Sequence, residues 1–266
     1  MANRSFICNR SSVQYNALMK EWIGMYKFRG HERYGPLLTS ILIQAFQAIS
    51  EELSLVAAKE TQASVAYSAT SASPPVDASL HPPNPRASTY ARVQPPSAHA
   101  STAVRADPQA ATSQPKSLLQ TPKPRWRPDA VTYVPVSSER LAERGFNQAE
   151  RLASGLAAAY SLPVVDLLQR RINTTKQSFK TRSERIETMK EAFSISPGVM
   201  DTLRDLYIGK TGSNSAREHS CPLQLLLIDD IYTTGSTLDA CGRVILNAAV
   251  SSDIPVEIYT LSLARS

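Results

Sequence analysis

Between Gly35 and Gly145 this 266-residue chain contains no glycine, so that interval cannot be a flexible Gly/Ser tether. Cysteine is equally sparse. Cys8, Cys221 and Cys241 form no C-x-x-C pair, which argues against a disulfide framework and against a complete zinc site. The four histidines (His31, His81, His99 and His219) are scattered, and none is assigned a catalytic role. No apolar run is expected to reach the roughly 18–20 residues that span a bilayer. The opening Met-Ala-Asn-Arg-Ser-Phe lacks the apolar stretch of a signal peptide, so a cytoplasmic protein without membrane insertion is expected. Acidic residues are the minority, 23 against 29 Lys and Arg, for a formal charge of +6. That balance suits anionic partners, phosphorylated metabolites or nucleic acid, and does not choose between them.

What is present divides the chain in three. Residues 1–56 predict two helices. The first runs from about Tyr15 to Phe28, with Leu18, Trp22, Ile23, Met25 and Tyr26 near helical spacing; the second has Pro36 in its first turn and an apolar stripe from Leu37 to Val56. Residues 57–128 hold about two-thirds of the 18 prolines among Ala, Ser, Thr and Gln, and lack hydrophobic periodicity. Such a segment cannot offset its ordering entropy, and a disordered, partly polyproline-like insert is expected. Residues 129–266 alternate strand and helix signals. Strands are expected near 130–136, 164–168, 192–195 and 256–264, and helices over 139–160 (Leu141 and Leu152 in its buried stripe), 200–206 and 237–250. The pattern predicts an α/β fold with a mainly parallel, doubly wound sheet and flanking helices, ligands lying at the carboxyl ends of the strands.

The strongest signal is the run 225–237, Leu-Leu-Leu-Ile-Asp-Asp-Ile-Tyr-Thr-Thr-Gly-Ser-Thr. Its apolar half reads as a strand buried on both faces. The turn Thr233, Thr234, Gly235, Ser236 and Thr237 sets backbone N–H groups and hydroxyls at a helix N-terminus, where unpaired amides and the helix dipole favour a phosphate. Asp229 and Asp230 stand within reach of the hydroxyls of a sugar carried by that phosphate. A sugar 5-phosphate is the ligand this chemistry describes. A second constellation follows the strand near 130: Val136, Ser137, Ser138, Arg140 and Arg144, with guanidinium forks suited to a diphosphate. A third, charged segment runs from Arg170 through Thr174, Lys176, Gln177, Arg182 and Arg185; Glu184, Glu187 and Glu191 allow part of it to be helix salt pairs.

The loop after the paired aspartates resembles the ribose-phosphate signature of type I phosphoribosyltransferases, which bind phosphoribosyl pyrophosphate (PRPP) with magnesium. With the Tyr26-Lys27-Phe28-Arg29-Gly30 opening, the Arg144-Gly-Phe-Asn-Gln148 box, the Thr174-x-x-Gln177 segment and the closing Leu261-Ser-Leu-Ala-Arg265, the chain resembles the ComF family of competence-associated, phosphoribosyltransferase-like proteins. The resemblance covers about residues 15–56 and 130–265. It implies a type I phosphoribosyltransferase fold. Asp229 and Asp230 would contact ribose hydroxyls as the catalytic pair, residues 233–237 would cradle the 5-phosphate, and the Val136 to Arg140 loop would meet diphosphate. The segment with Thr174, Gln177, Arg182 and Arg185 would act as a lid. Magnesium would arrive with PRPP rather than by direct protein ligation.

Two departures accompany the likeness. Family members typically open with a four-cysteine zinc ribbon, of which Cys8 alone could be a remnant, so zinc is not expected here. Thr188 stands where many relatives carry Asn. No acceptor-recognition element is identifiable, so two readings stay open: a phosphoribosyltransferase acting in competence and DNA transformation on an unidentified acceptor, or a non-catalytic module in DNA uptake that binds single-stranded DNA or a DNA-uptake or helicase protein. A PRPP sensor without turnover is a third.

Overall fold

A computed structural model describes residues 4–27, 32–70, 126–171, 192–212 and 221–266. The chain divides into a unit of residues 1–59 with 122–266 and a second unit of residues 60–121. Strand β1 (Cys8–Gln14) leads to helix α1 (Ala17–Tyr26) and then to α2 (Gly35–Thr70). There follow β2 (Ala130–Tyr133), α3 (Ser138–Arg144), α4 (Gln148–Tyr160), β3 (Leu168–Arg170) and β4 (Phe193–Ile195). The chain closes with α5 (Val199–Thr211), β5 (Leu223–Tyr232), α6 (Ser236–Ser251) and β6 (Val256–Arg265).

Strands β1, β6, β5 and β2 form one parallel sheet in that order, and β3 and β4 form a small antiparallel pair. Side chains on a strand alternate between faces, so the apolar run of β5 supplies both at once. Leu226 and Ile228 join Leu261 and Leu263 of β6 under α1, α2 and α4. Leu223, Leu225 and Leu227 face the other way, with Ile258, against α5 and α6. Leu152 and Leu156 of α4 and Ile245 of α6 are fully buried in these two layers. Each such side chain contributes about 1.5–3 kcal/mol. The result is the parallel α/β sheet with helices on both faces that the sequence predicts, consistent with a phosphoribosyltransferase-like fold.

Chain direction then positions the site. After β2 the path runs through α4 on one face to Val164, which bridges in parallel to Val131 on the outer side of β2. After β5 it runs through α6 on the opposite face to β6, on the inner side. The carboxyl ends of β2 and β5 therefore flank a point where neighbouring strands diverge, the place where α/β sheets open a ligand crevice.

Several expectations need correction. Strand β1 had no sequence signal. The single helix expected over 139–160 is two helices, broken where Gly145 takes φ 84° and Asn147 caps α4 by accepting from the Ala149 N–H at 3.0 Å. Leu141, placed in the buried stripe, is 44% exposed because α3 lies outside the core. Helix α2 continues to Thr70, past the expected start of the insert at 57. The first proline beyond it is Pro74, and the Ala-rich run before that favours helix. The remainder of the insert, 71–125, lies outside the described residues. Against the expectation that no run approaches a membrane span, Gly35–Lys59 is long and apolar enough by length and composition, with a mean hydropathy of 1.3. Its Leu38, Leu42, Phe46 and Ile49 pack into the core under the sheet.

Candidate functional site

At the carboxyl ends of β2 and β5 lies a cleft of about 180 Å³. Asp229 and Asp230 come from β5, Val136 from the loop after β2, Arg140 and Arg144 from α3, and Thr237 from the first turn of α6. Lys27 at the end of α1 and Arg170 of β3 complete the charged lining, four cationic side chains against two carboxylates.

The two aspartates differ because strand geometry sends them to opposite faces. Asp229 points into the interior and is 8% exposed. Its Oδ1 accepts the Asp230 N–H at 2.9 Å. Burial pushes its pKa well above the usual carboxylate range, and the charge of Asp230 adds to that; Lys27 pulls the other way. Asp230 is half-buried and pairs with Lys27, Nζ to Oδ2 at 2.9 Å. No third acidic, histidine or cysteine side chain joins the two aspartates among the described residues. The oxygens of a bound diphosphate and water would hold magnesium, which suits an ion that keeps its waters.

The loop at 233–237 is organised by Gly235. It adopts φ 75°, and a Cβ there would stand 2.6 Å from Tyr232 Oη and 2.8 Å from Arg4 Nη1. The left-handed backbone favours glycine, and a Cβ would also have to push aside the ends of these two side chains. As the N-cap of α6 it supplies no side-chain hydrogen bond to the first turn. The Ser236 N–H approaches Thr234 Oγ1 at 3.4 Å, and the Thr234 and Ser236 hydroxyls stand 3.0 Å apart. Arg4 Nη2 donates to the Thr234 carbonyl at 2.8 Å, laying the N-terminal arm along the loop. Thr233 and Thr234 are exposed. Of the five loop residues, Thr237 lines the cleft, and Thr233 to Ser236, which follow the end of β5, do not.

On the opposite side, Ser137 and Ser138 do not line the cleft. Ser137 is buried as the N-cap of α3, its Oγ accepting the Arg140 N–H at 3.4 Å. The Arg-Gly-Phe-Asn-Gln box serves geometry. Phe146 packs against the Tyr26 ring at 5.4 Å between centroids, and Asn147 Nδ2 donates to the Val134 carbonyl at 3.1 Å. Gln148 Oε1 accepts from Arg144 Nη1 at 2.9 Å. The break after α3 thus holds the Arg144 guanidinium toward the aspartates. Burial lowers the pKa of Arg144, as does the charge of Arg140, while Asp230 opposes them. Arg170 shows the same balance with Asp229 as one opposing charge, and it stacks over Phe193 at 5.3 Å. Arg151 is exposed and sits 4.1 Å over the Phe146 ring.

Lys27 and Arg170 had no assigned site role in the sequence reading. The signal for Lys27 was its place in the Tyr26-Lys27 opening motif, and for Arg170 its position at the head of the basic segment. Thr174, Gln177, Arg182 and Arg185, the expected lid, lie outside the described residues.

No protein-family model matches the chain. It is 32% identical to competence protein ComFC of Streptococcus pneumoniae, over 56% of this chain and 54% of that protein. It is 34% identical to competence protein ComFC of Bacillus subtilis, over 46% of this chain and 40% of that protein. Competence protein F of Haemophilus influenzae matches at 27% over 52% and 51%. The chain spans about half the length of these curated relatives. Three similarly named relatives from three organisms, at 27–34% identity over about half of this chain, support a ComF-family protein.

Proposed function

We propose that this protein has a competence-related role, as its relatives' names suggest, and that its cleft binds magnesium-PRPP. The observation that supports the ligand reading is that Arg140, Arg144 and Arg170, the two aspartates and Thr237 of the hydroxyl-rich turn line one cleft at a strand divergence. The hydroxyl-rich turn with the open first turn of α6 receives the 5-phosphate. Arg140, Arg144 and Arg170 receive the diphosphate. Asp229 and Asp230 take the ribose hydroxyls. With its raised pKa, Asp229 can accept or donate a hydrogen bond there, while Asp230 contributes charge.

If the protein turns PRPP over, a nitrogen nucleophile attacks C1 as the C1–oxygen bond breaks. Pyrophosphate departs with the bonding electrons, and the nitrogen gives up a proton. Positive charge develops on the sugar, so the carboxylates stabilise the transition state more than the ground state. Magnesium, when bound, would offset the charge of the leaving diphosphate. The guanidinium groups do the same from the protein side.

A two-ligand titration tests this reading. Magnesium-PRPP should bind saturably, require magnesium and respond weakly to added salt. Single-stranded DNA held by basic groups alone would weaken steeply with salt and ignore magnesium beyond its ionic strength. Binding of DNA without binding of PRPP would overturn the proposal in favour of a nucleic-acid module.

A further inference from the structure

Lys27 caps the C-terminus of α1, yet its ammonium reaches the carboxylate pair at the end of β5, more than two hundred residues later in the chain. Its backbone is fixed: the Lys27 N–H donates to the Ile23 and Gly24 carbonyls, and Tyr26 beside it is buried against Phe146. Its side chain is a flexible four-carbon stem ending in three donors that can be redirected. The pair it makes with Asp230 is not sealed. Both side chains keep 23% exposure and both line the cleft, so a ligand entering the cleft meets them directly.

This arrangement poses a conflict for any sugar that uses Asp230. A carboxylate already neutralised by an ammonium at 2.9 Å has one oxygen committed, and vicinal hydroxyls must compete for it. Arg140 and Arg144 line the same cleft and are the groups proposed above for a diphosphate, and a released Lys27 would add a further positive group to that space.

Resting on the PRPP reading above, we infer that Lys27 is an exchange residue: it neutralises Asp230 in the empty cleft and transfers to the diphosphate when the sugar hydroxyls take the carboxylate. The site then favours ligands carrying both groups. A sugar phosphate alone must displace Lys27 and gives it no new partner. A diphosphate alone must draw Lys27 away and leaves Asp230 unpaired. A ligand with both parts satisfies both ends of the broken pair.

The probes are ribose 5-phosphate and inorganic pyrophosphate, each titrated at one fixed magnesium concentration into the full-length wild type, Lys27→Met and Asp230→Asn. In Lys27→Met, pyrophosphate affinity should fall roughly tenfold, as expected for loss of a charge-assisted contact. Ribose 5-phosphate affinity should rise about two- to fivefold, the scale of an exposed ion pair no longer to be broken. Asp230→Asn should show the reverse, tighter pyrophosphate and weaker ribose 5-phosphate. The crossed pattern also guards against misfolding, since a damaged variant would lose both ligands. If Lys27→Met moves both affinities in one direction, or moves neither, Lys27 is a structural counter-charge and the inference falls while the PRPP reading stands. If the wild type binds neither probe nor PRPP, both fall together.

Discussion

The loop after β5 and the loop after β2 leave adjacent strands of one sheet, yet they are built from different materials. The first, residues 233–237, uses backbone amides, hydroxyls and a glycine at φ 75°, with no cation of its own. The second carries Arg140 and Arg144, held by a capped short helix and by Gln148. A turn of amides fixes one small anion at one distance from a helix end. Guanidinium forks accept a larger, more highly charged group with less positional demand. On the proposed PRPP reading, the first side takes the monoester and the second the diphosphate, with Asp229 and Asp230 between them.

The comparison can be broken most forcefully at the arginines. Arg140→Met with Arg144→Met should reduce PRPP affinity about a hundredfold or more by calorimetry, two charge-assisted contacts being lost. Ribose 5-phosphate affinity should change by less than about threefold, since that ligand uses the other seat. Equal losses for both ligands would erase the distinction.

Gly235→Ala attacks the amide side. The positive φ and the 2.6 Å approach to Tyr232 Oη make the substitution costly by about 1–3 kcal/mol, read by urea unfolding. Affinity for ribose 5-phosphate should fall with it, more than affinity for pyrophosphate.

Asp229 sharpens what lies between the seats. A carboxyl whose folded-state pKa is raised holds its proton more tightly in the folded chain. Stability therefore falls as pH rises from the ordinary value of 3.8 toward the folded value, and stays lower above it. Asp229→Asn removes that loss. Its melting midpoint should exceed that of wild type at neutral pH, by about 2–4 °C per kcal/mol gained for a domain of this size. The gap should close as pH falls toward 3.8. A variant that melts lower at neutral pH would contradict the assigned burial cost.

The smallest effect belongs to Thr234→Val. It removes one exposed hydroxyl, 3.0 Å from Ser236 Oγ, and leaves every amide in place. Phosphate affinity should drop less than about threefold and stability by under about 0.5 kcal/mol. A large loss would mean that hydroxyls rather than amides carry that seat.

Much of this is legible in the sequence. The apolar run from Leu225 to Ile228 could only be a strand covered on both faces, and the turn behind it announced a helix start. Strand β1 was not legible: Cys-Asn-Arg-Ser-Ser-Val-Gln has no alternation, and it forms because β6 offers a parallel edge, from Cys8 opposite Tyr259 to Gln14 opposite Arg265. Helical periodicity ran on through Gly145, so the break that aims Arg144 was hidden. Ser137 looked like a ligand and serves as a cap. Lys27 could not be seen as part of the site, because its contact with Asp230 depends on how α1 packs beside the sheet.

The most direct measurement is a calorimetric titration of magnesium-PRPP into the wild type and into Asp229→Asn/Asp230→Asn. The account predicts saturable, magnesium-dependent binding by the wild type and none detectable in the double variant, which should remain folded. Undiminished binding in the double variant, or no binding by folded wild type, would contradict it.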